Sequence, residues 1–222
     1  MKNWTAYMRA GLGIGFVGLF LGGCASTLPA PVLKISPADT TYVKVIPAPQ
    51  PVGITMTTIA VGGVAAQTAN SSTLSQSQRF YALVKDDPRT QTLQQRFRDR
   101  VIAEAKSAGL ALQDGQDLDI SALASNQQMI LLKGFNAYYQ AKTIAHRYTP
   151  YAFTFIESSR DPVIPKGERH ILHTASARIE DDKYAFALSD GVFNDLNVSL
   201  DGLDAAVDEL AKRVVKELLA AR

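Results

Sequence analysis

The chain has 222 residues, 46% of them hydrophobic and 20% charged, which is ordinary globular usage and excludes wholesale disorder or a fibrous repeat. Its 23 Lys and Arg against 21 Asp and Glu give a net charge of +2, too small for the basic footprint of a dedicated nucleic-acid binder. A single cysteine excludes an internal disulfide and a multi-cysteine metal cluster.

The first nine residues carry Lys2 and Arg9 as their only charges, and 10–21 is an uncharged run of apolar residues and glycines. Such a run makes about 18 Å of helix, short of the ~30 Å of a bilayer core. A basic start, a short apolar run and a small-residue exit describe an export signal rather than a spanning helix. Leu21, Gly22, Gly23 and Cys24 close it with a branched residue, two small ones and the chain's one cysteine. This closing sequence resembles the lipobox of bacterial lipoproteins. The resemblance implies removal of 1–23, a diacylglyceryl thioether on Cys24 and an acyl chain on its amine. Ala25 after the cysteine, rather than aspartate, implies export to the outer membrane with the protein facing the periplasm. Each buried methylene contributes about 0.8 kcal/mol, so two or more chains hold where one binds marginally. Without Lys2 and Arg9 the remainder carries 21 basic and 21 acidic residues, so lipid and not charge is expected to hold it to its membrane. Gly13, Gly15 and Gly18 also satisfy G-x-G-x-x-G, but no strand precedes them and no dinucleotide site is expected.

Pro29, Pro31, Pro37, Pro47, Pro49 and Pro51 are six of the ten prolines, so 24–53 is expected to be a Pro-rich tether, with 42–46 as a strand-like exception. The folded domain is then expected over 54–222. Residues 54–64 suit a strand, the Asn, Ser, Thr and Gln of 67–78 a loop, and 80–84 a second strand. Asp86, Asp87 and Pro88 mark a helix start, and Leu93, Phe97, Val101, Ala105 and Ala108 recur at helical spacing across 90–108. Gly109 sits where a left-handed cap belongs, before a short strand at 110–112.

Residues 128–139 read as one strand, or as a strand and a turn at Gly134. In 148–156, Tyr151, Phe153 and Phe155 alternate with Ala152, Thr154 and Ile156, the pattern of a strand. A loop at 158–167 precedes 169–179 and 183–188, which flank Asp181 and Asp182 as a hairpin. The last element is a helix over 201–221 on the stripe Leu203, Val207, Leu210, Val214, Leu218 and Ala221, with Ser199 or Asp201 placed to cap it. The sum is α+β: a mostly antiparallel sheet with two amphipathic helices packed on one face. This element order is similar to that of small periplasmic domains of outer-membrane lipoproteins that assist assembly of envelope machines.

Chemistry is sparse. On a strand His170 and His173 point to opposite faces, and His146 is distant in sequence, so no metal site is expected. A calcium loop counted from Asp117 through Asp119 puts Ala122 where glycine is needed and Gln128 where a bidentate glutamate is needed, leaving an acidic turn with Asp114. Neither G-x-S-x-G nor S-x-x-K occurs, so no catalytic residue and no cofactor are expected. Arg96, Arg98 and Arg100 are expected on a solvated helix, Arg98 facing away from the other two, with Asp99 and Glu104 as partners. Phe135, Tyr138, Tyr139, Tyr148 and Tyr151 are expected as core or strand-face packing, any exposed remainder serving as a docking surface for protein or glycan. The expected function is that of a lipid-anchored, non-enzymatic scaffold or accessory of an envelope assembly, with other envelope proteins as partners and no nucleic acid. The alternative is a module binding a small ligand, lipid or glycan between sheet and helices.

Overall fold

In a computed structural model, residues 33–56, 58–59, 65–66, 71–141, 147–161 and 173–222 are described. Leu21, Gly22, Gly23, Cys24, His146 and His170 lie outside them. In chain order the elements are β1 (Thr40–Met56), β2 (Thr58–Ile59), β3 (Ala65–Ala66), α1 (Ser71–Val84), α2 (Pro88–Gln91), α3 (Leu93–Ser107), β4 (Leu112–Asp114), β5 (Gln127–Ala141), β6 (Thr149–Ser158), β7 (His173–Arg178), α4 (Ser189–Asn194) and α5 (Leu196–Ala220). Five strands form one sheet in the order β4-β1-β5-β6-β7, while β2 and β3 pair separately. The class is the expected α+β. Pairing through β6 is antiparallel, and β1 lies parallel to both β4 and β5. Parallel neighbours need a crossover, and α1, α2, α3 and β4 supply it between β1 and β5.

The tether expected over 24–53 gives way to structure from residue 33 onward. Leu33 and Ile35 are buried in the core, and β1 takes up Thr40–Met56. Prolines are tolerated there because the β1–β5 register shifts between Ile46 and Val52, and a strand's irregular stretch is where missing donors do least harm. Beyond the three residues that pair with β4, side chains reach the free edge of β1 at Val45 and at Ile54. The Gln116 amide accepts from the Val45 N–H at 3.1 Å and donates to its carbonyl at 3.2 Å, and Ser77 Oγ accepts from the Ile54 N–H at 3.3 Å. An otherwise open edge is thereby covered at these two points.

The loop expected at 67–78 and the strand expected at 80–84 are together the single helix α1. Ser77, Phe80 and Val84 fall on one helical face, and the last two are fully buried, so tertiary packing overrides the polar composition of the first turns. Asp87 caps α2 by accepting from the Arg89 N–H at 2.8 Å, with Pro88 in the first turn. The helix expected over 90–108 is α2 and α3 separated at Thr92. Gly109 has φ +76° and closes α3 as expected, with the Leu110 N–H reaching the Ala105 carbonyl at 2.8 Å. The second arm of the expected hairpin, 183–188, forms only a bridge from Phe186 to Tyr148 beside a 3-10 turn at Asp182–Tyr184. Leu196 and Leu200 extend the stripe of the last helix backwards, so its cap is Asp195, accepting from Val198 N–H, and not Ser199 or Asp201.

One face of the sheet carries the core. Val43, Val45, Ile130, Leu132, Phe135, Ala137, Tyr139, Ala152, Ile156, Ala175 and Ala177 point to it, and α1, α3, α4 and α5 all bury apolar residues against them. Phe97 of α3 stacks on Phe135 with centroids 4.3 Å apart. The small residues of β6 and β7 let α5 approach closely. A Cβ on Gly202 would sit 2.4 Å from the Tyr139 hydroxyl and 2.9 Å from Pro150 Cγ, so glycine is required there.

Candidate functional site: the aromatic face of the sheet

Alternation, interrupted in β1 and β5 by their register shifts, sends the other residues of β1, β5, β6 and β7 to the face turned away from α3 and α5. Across the strands the register sets Tyr138 beside Tyr151 and Arg178, Asn136 beside Phe153 and Ser176, and Lys133 beside Phe155 and Thr174. Gly134, at φ +62°, makes the bulge that shifts this register, and Phe155 closes over it 3.3 Å from where a Cβ would stand. A residue with a side chain would be strained in that backbone region. The 128–139 stretch is thus one strand with a bulge, settling the two alternatives for Gly134.

The rings of Tyr138 and Tyr151 lie 5.2 Å apart at 48°, and those of Phe153 and Phe155 meet edge to face at 4.7 Å. All four are only partly buried, and none belongs to the core that the helices build. The Arg178 guanidinium lies 5.3 Å from the Tyr151 ring centroid, a cation over an aromatic face. It donates to Thr149 Oγ1 at 2.6 Å and to the Gln140 side-chain carbonyl, which hold it in place. Burial lowers its pKa from the usual arginine value, and an arginine stays charged through such a change. Lys133 and Glu157 pair at 2.5 Å along the same face. At the β1 side the exposed Ile46 continues it, beside Lys44, whose ammonium donates to the Leu118 carbonyl at 3.0 Å.

The aromatic concentration singled out in the sequence is therefore split. Phe135, Tyr139 and Tyr148 are buried on the core side, while Tyr138 and Tyr151 stand on the outer one. Arg178, Phe153 and Phe155 join them, a grouping that needs the strand register and is absent from any one segment. The signal in the sequence was the contrast of size along 151–156 and 174–178: the side with small residues is the one a helix can approach.

The remaining singled-out residues have structural partners. Arg98 pairs with Asp114 at 3.3 Å and with Asp99 at 3.7 Å. Arg96 and Arg100 do not form a solvated face but clamp α3 to α5 through Asp204, and Arg100 also pairs with Asp208 at 2.6 Å. Burial works to raise the Asp204 pKa, but the Arg100 and Arg96 guanidiniums overcome it and hold the carboxyl below the usual range. Asp208 moves the other way, raised chiefly by burial. Asp119 caps the 3-10 turn Ile120–Ala122 by accepting from the Ser121 N–H. His173 Nε2 lies 2.9 Å from Glu217 Oε2, tying β7 to α5. Among the described residues no group of three or more His, Cys, Asp or Glu side chains is placed to hold a metal, and no helix is long and apolar enough to cross a membrane.

No family model matches the chain, and no curated protein does. Solved structures similar to it include an uncharacterised protein, 11% identical, covering 85% of this chain and 95% of the other at a TM-score of 0.34. They also include a Xanthomonas campestris protein assigned to the DUF330 family, 11% identical, covering 86% of this chain and 94% of the other at a TM-score of 0.36.

Proposed function

We propose that this chain is a lipid-anchored, non-enzymatic accessory of an envelope assembly, held to the outer membrane through Cys24 on its periplasmic side, and that it engages another envelope protein through its aromatic face. The observation that carries the reading is the placement of Tyr138, Tyr151, Phe153 and Phe155 outside the core, on a face where the helices contribute nothing to their burial. Aromatic side chains and arginine are the residue types enriched where protein interfaces bury most. The Lys133–Glu157 pair and Arg178 supply a polar margin around them. The sequence Leu21-Gly22-Gly23-Cys24 supports the anchor.

The test is a photo-crosslinking residue placed at 151 or 153 in the full chain in living cells, with Leu219 on the exposed side of α5 as the control position. Adducts with one envelope protein from the two sheet positions, absent at 219 and diminished by Cys24→Ser, are expected. Equal labelling from all three positions, or none from the sheet, would overturn the reading.

A further inference from the structure

We infer that the domain stands on its membrane by one particular end: the end of the sheet where β1 and β5 begin and β6 finishes. The inference rests on the anchor at Cys24 proposed above and adds the direction in which the domain is held.

The chain is fixed to this end from residue 33. Leu33 and Ile35 are buried, and the Lys34 N–H donates to Asp161 Oδ1 at 3.0 Å. Gln128 then takes hold of Ser36 on both sides, accepting from its N–H at 3.0 Å and donating to its carbonyl at 2.7 Å. Arg160, just past the close of β6, pairs with Asp39 at 2.5 Å and donates to the Ser125 carbonyl, drawing the three strand ends together. Register agrees, since Thr40 pairs with Gln127 and Ile130 with Ser158 at this end, while Gln140 pairs with Thr149 and Tyr151 with Arg178 near the other.

Between Cys24 and Leu33 there are nine residue steps. Whatever their conformation, they reach at most about 30 Å. β5 has 15 residues and rises about 45 Å from the near end to the far one. An inverted domain, touching lipid with the far end, would carry Leu33 roughly 45 Å from the surface, farther than nine residues span. Full inversion is thereby excluded, and the inferred orientation keeps the turn at Ser125 and the Asp39–Arg160 pair nearer the bilayer than the far end. The near end suits a headgroup surface without penetrating it. Lys34, Arg160, Asp39 and Asp161 balance in charge, and the exposed residues Pro37, Ala38, Ala124, Ser125 and Asn126 are small or neutral.

The single native cysteine makes the test clean. Ser125→Cys at the near end and Lys183→Cys at the far end each receive a fluorescent donor on the full lipidated chain. The protein is reconstituted in phosphatidylethanolamine–phosphatidylglycerol vesicles carrying an acceptor on a lipid headgroup. Energy transfer from position 125 is expected to exceed that from 183 by at least about twofold, given the length of the sheet between them. Equal transfer, or the larger value at 183, overturns the orientation while leaving the anchor standing. Wild-type protein is treated with the same maleimide beforehand. A Cys24 thiol that reacts is not acylated, and that result removes the anchor and the orientation together.

Discussion

The two faces of this sheet divide apolar material in a way opposite to size. On the side that α3 and α5 cover, β6 and β7 present the small Ala152, Thr154, Ala175 and Ala177, with Ile156 and His173 at one end. On the other side the same strands present Tyr151, Phe153, Phe155 and Arg178. Close approach explains the first choice: a helix settles on a sheet only where both surfaces leave room, and Gly202 of α5 meets Tyr139 and Pro150 at distances no side chain tolerates. The second choice has no such explanation in the described fold. Large rings left partly exposed contribute less to folding than the same rings would in the core, which is why recognition is proposed for that face and stability for the other.

The contrast is sharpest at Phe97. Its ring is fully buried and stacked on Phe135, so Phe97→Ala removes both a large buried area and an aromatic contact. A loss of about 3–5 kcal/mol is expected in urea denaturation, the range for emptying a well-packed aromatic site. A loss below about 1 kcal/mol would mean that the core collapses freely around the gap.

Gly202→Ala probes the close approach itself. The new methyl collides with the Tyr139 hydroxyl and Pro150, and overpacking of this kind costs about 1–3 kcal/mol. Tyr139→Phe in the same chain removes one of the two collisions, together with the 3.3 Å hydrogen bond to the Ser199 carbonyl. The double variant is expected to be more stable than the sum of the single effects predicts. Strict additivity would place the strain elsewhere.

Sequence patterning conveyed the covered side better than the open one. The stripes of α3 and α5 and the cap at Gly109 depend on spacing within one segment, and they are present as expected except at Ala108, which is an exposed residue just past the end of α3. Alternation over 151–156 was equally plain, but which side faces the helices depends on packing partners 50 residues away, such as Gly202 opposite Pro150. α1 was misread because the residues of 71–78 that favour loops occupy its polar turns, and the burial of Phe80 and Val84 decides the matter. The strand expected at 42–46 lies within β1, and the prolines that make its continuation read as tether sit in its irregular register. Arg178 reaches the aromatic face only through strand pairing, which no local pattern announces.

The clamp between α3 and α5 ranks next in size. Asp204 is about a quarter exposed and receives both Arg96 and Arg100, so Asp204→Asn is expected to cost about 1.5–2 kcal/mol near neutral pH, at the lower end for hydrogen bonds to charged groups. The sign with pH follows from its lowered folded-state pKa. Its contribution is present above about pH 4, the ordinary aspartate value, and is lost as pH falls through the lower folded value. Asp208 opposes this, because burial raises its pKa and protonation relieves that cost on acidification. Denaturation midpoints across this range should therefore fall less steeply in Asp204→Asn than in the wild type. Parallel profiles would show that Asp204 does not couple to folding.

The smallest change in stability is expected where the largest change in association is. Tyr151→Ser takes a partly exposed ring from Tyr138 and uncovers the Arg178 guanidinium, yet leaves the core untouched. Substitutions away from a core commonly shift stability by about 0.5 kcal/mol, and the loss of one exposed ring contact adds about as much again. The unfolding midpoint is therefore expected to stay near that of the wild type, while crosslinks from position 153 to an envelope protein fall. Phe97→Ala supplies the opposite profile: lower stability with an intact outer face in the fraction that remains folded. If Tyr151→Ser lost as much stability as Phe97→Ala, the aromatic face would be part of the fold's support, and the separation of roles between the two faces would fail.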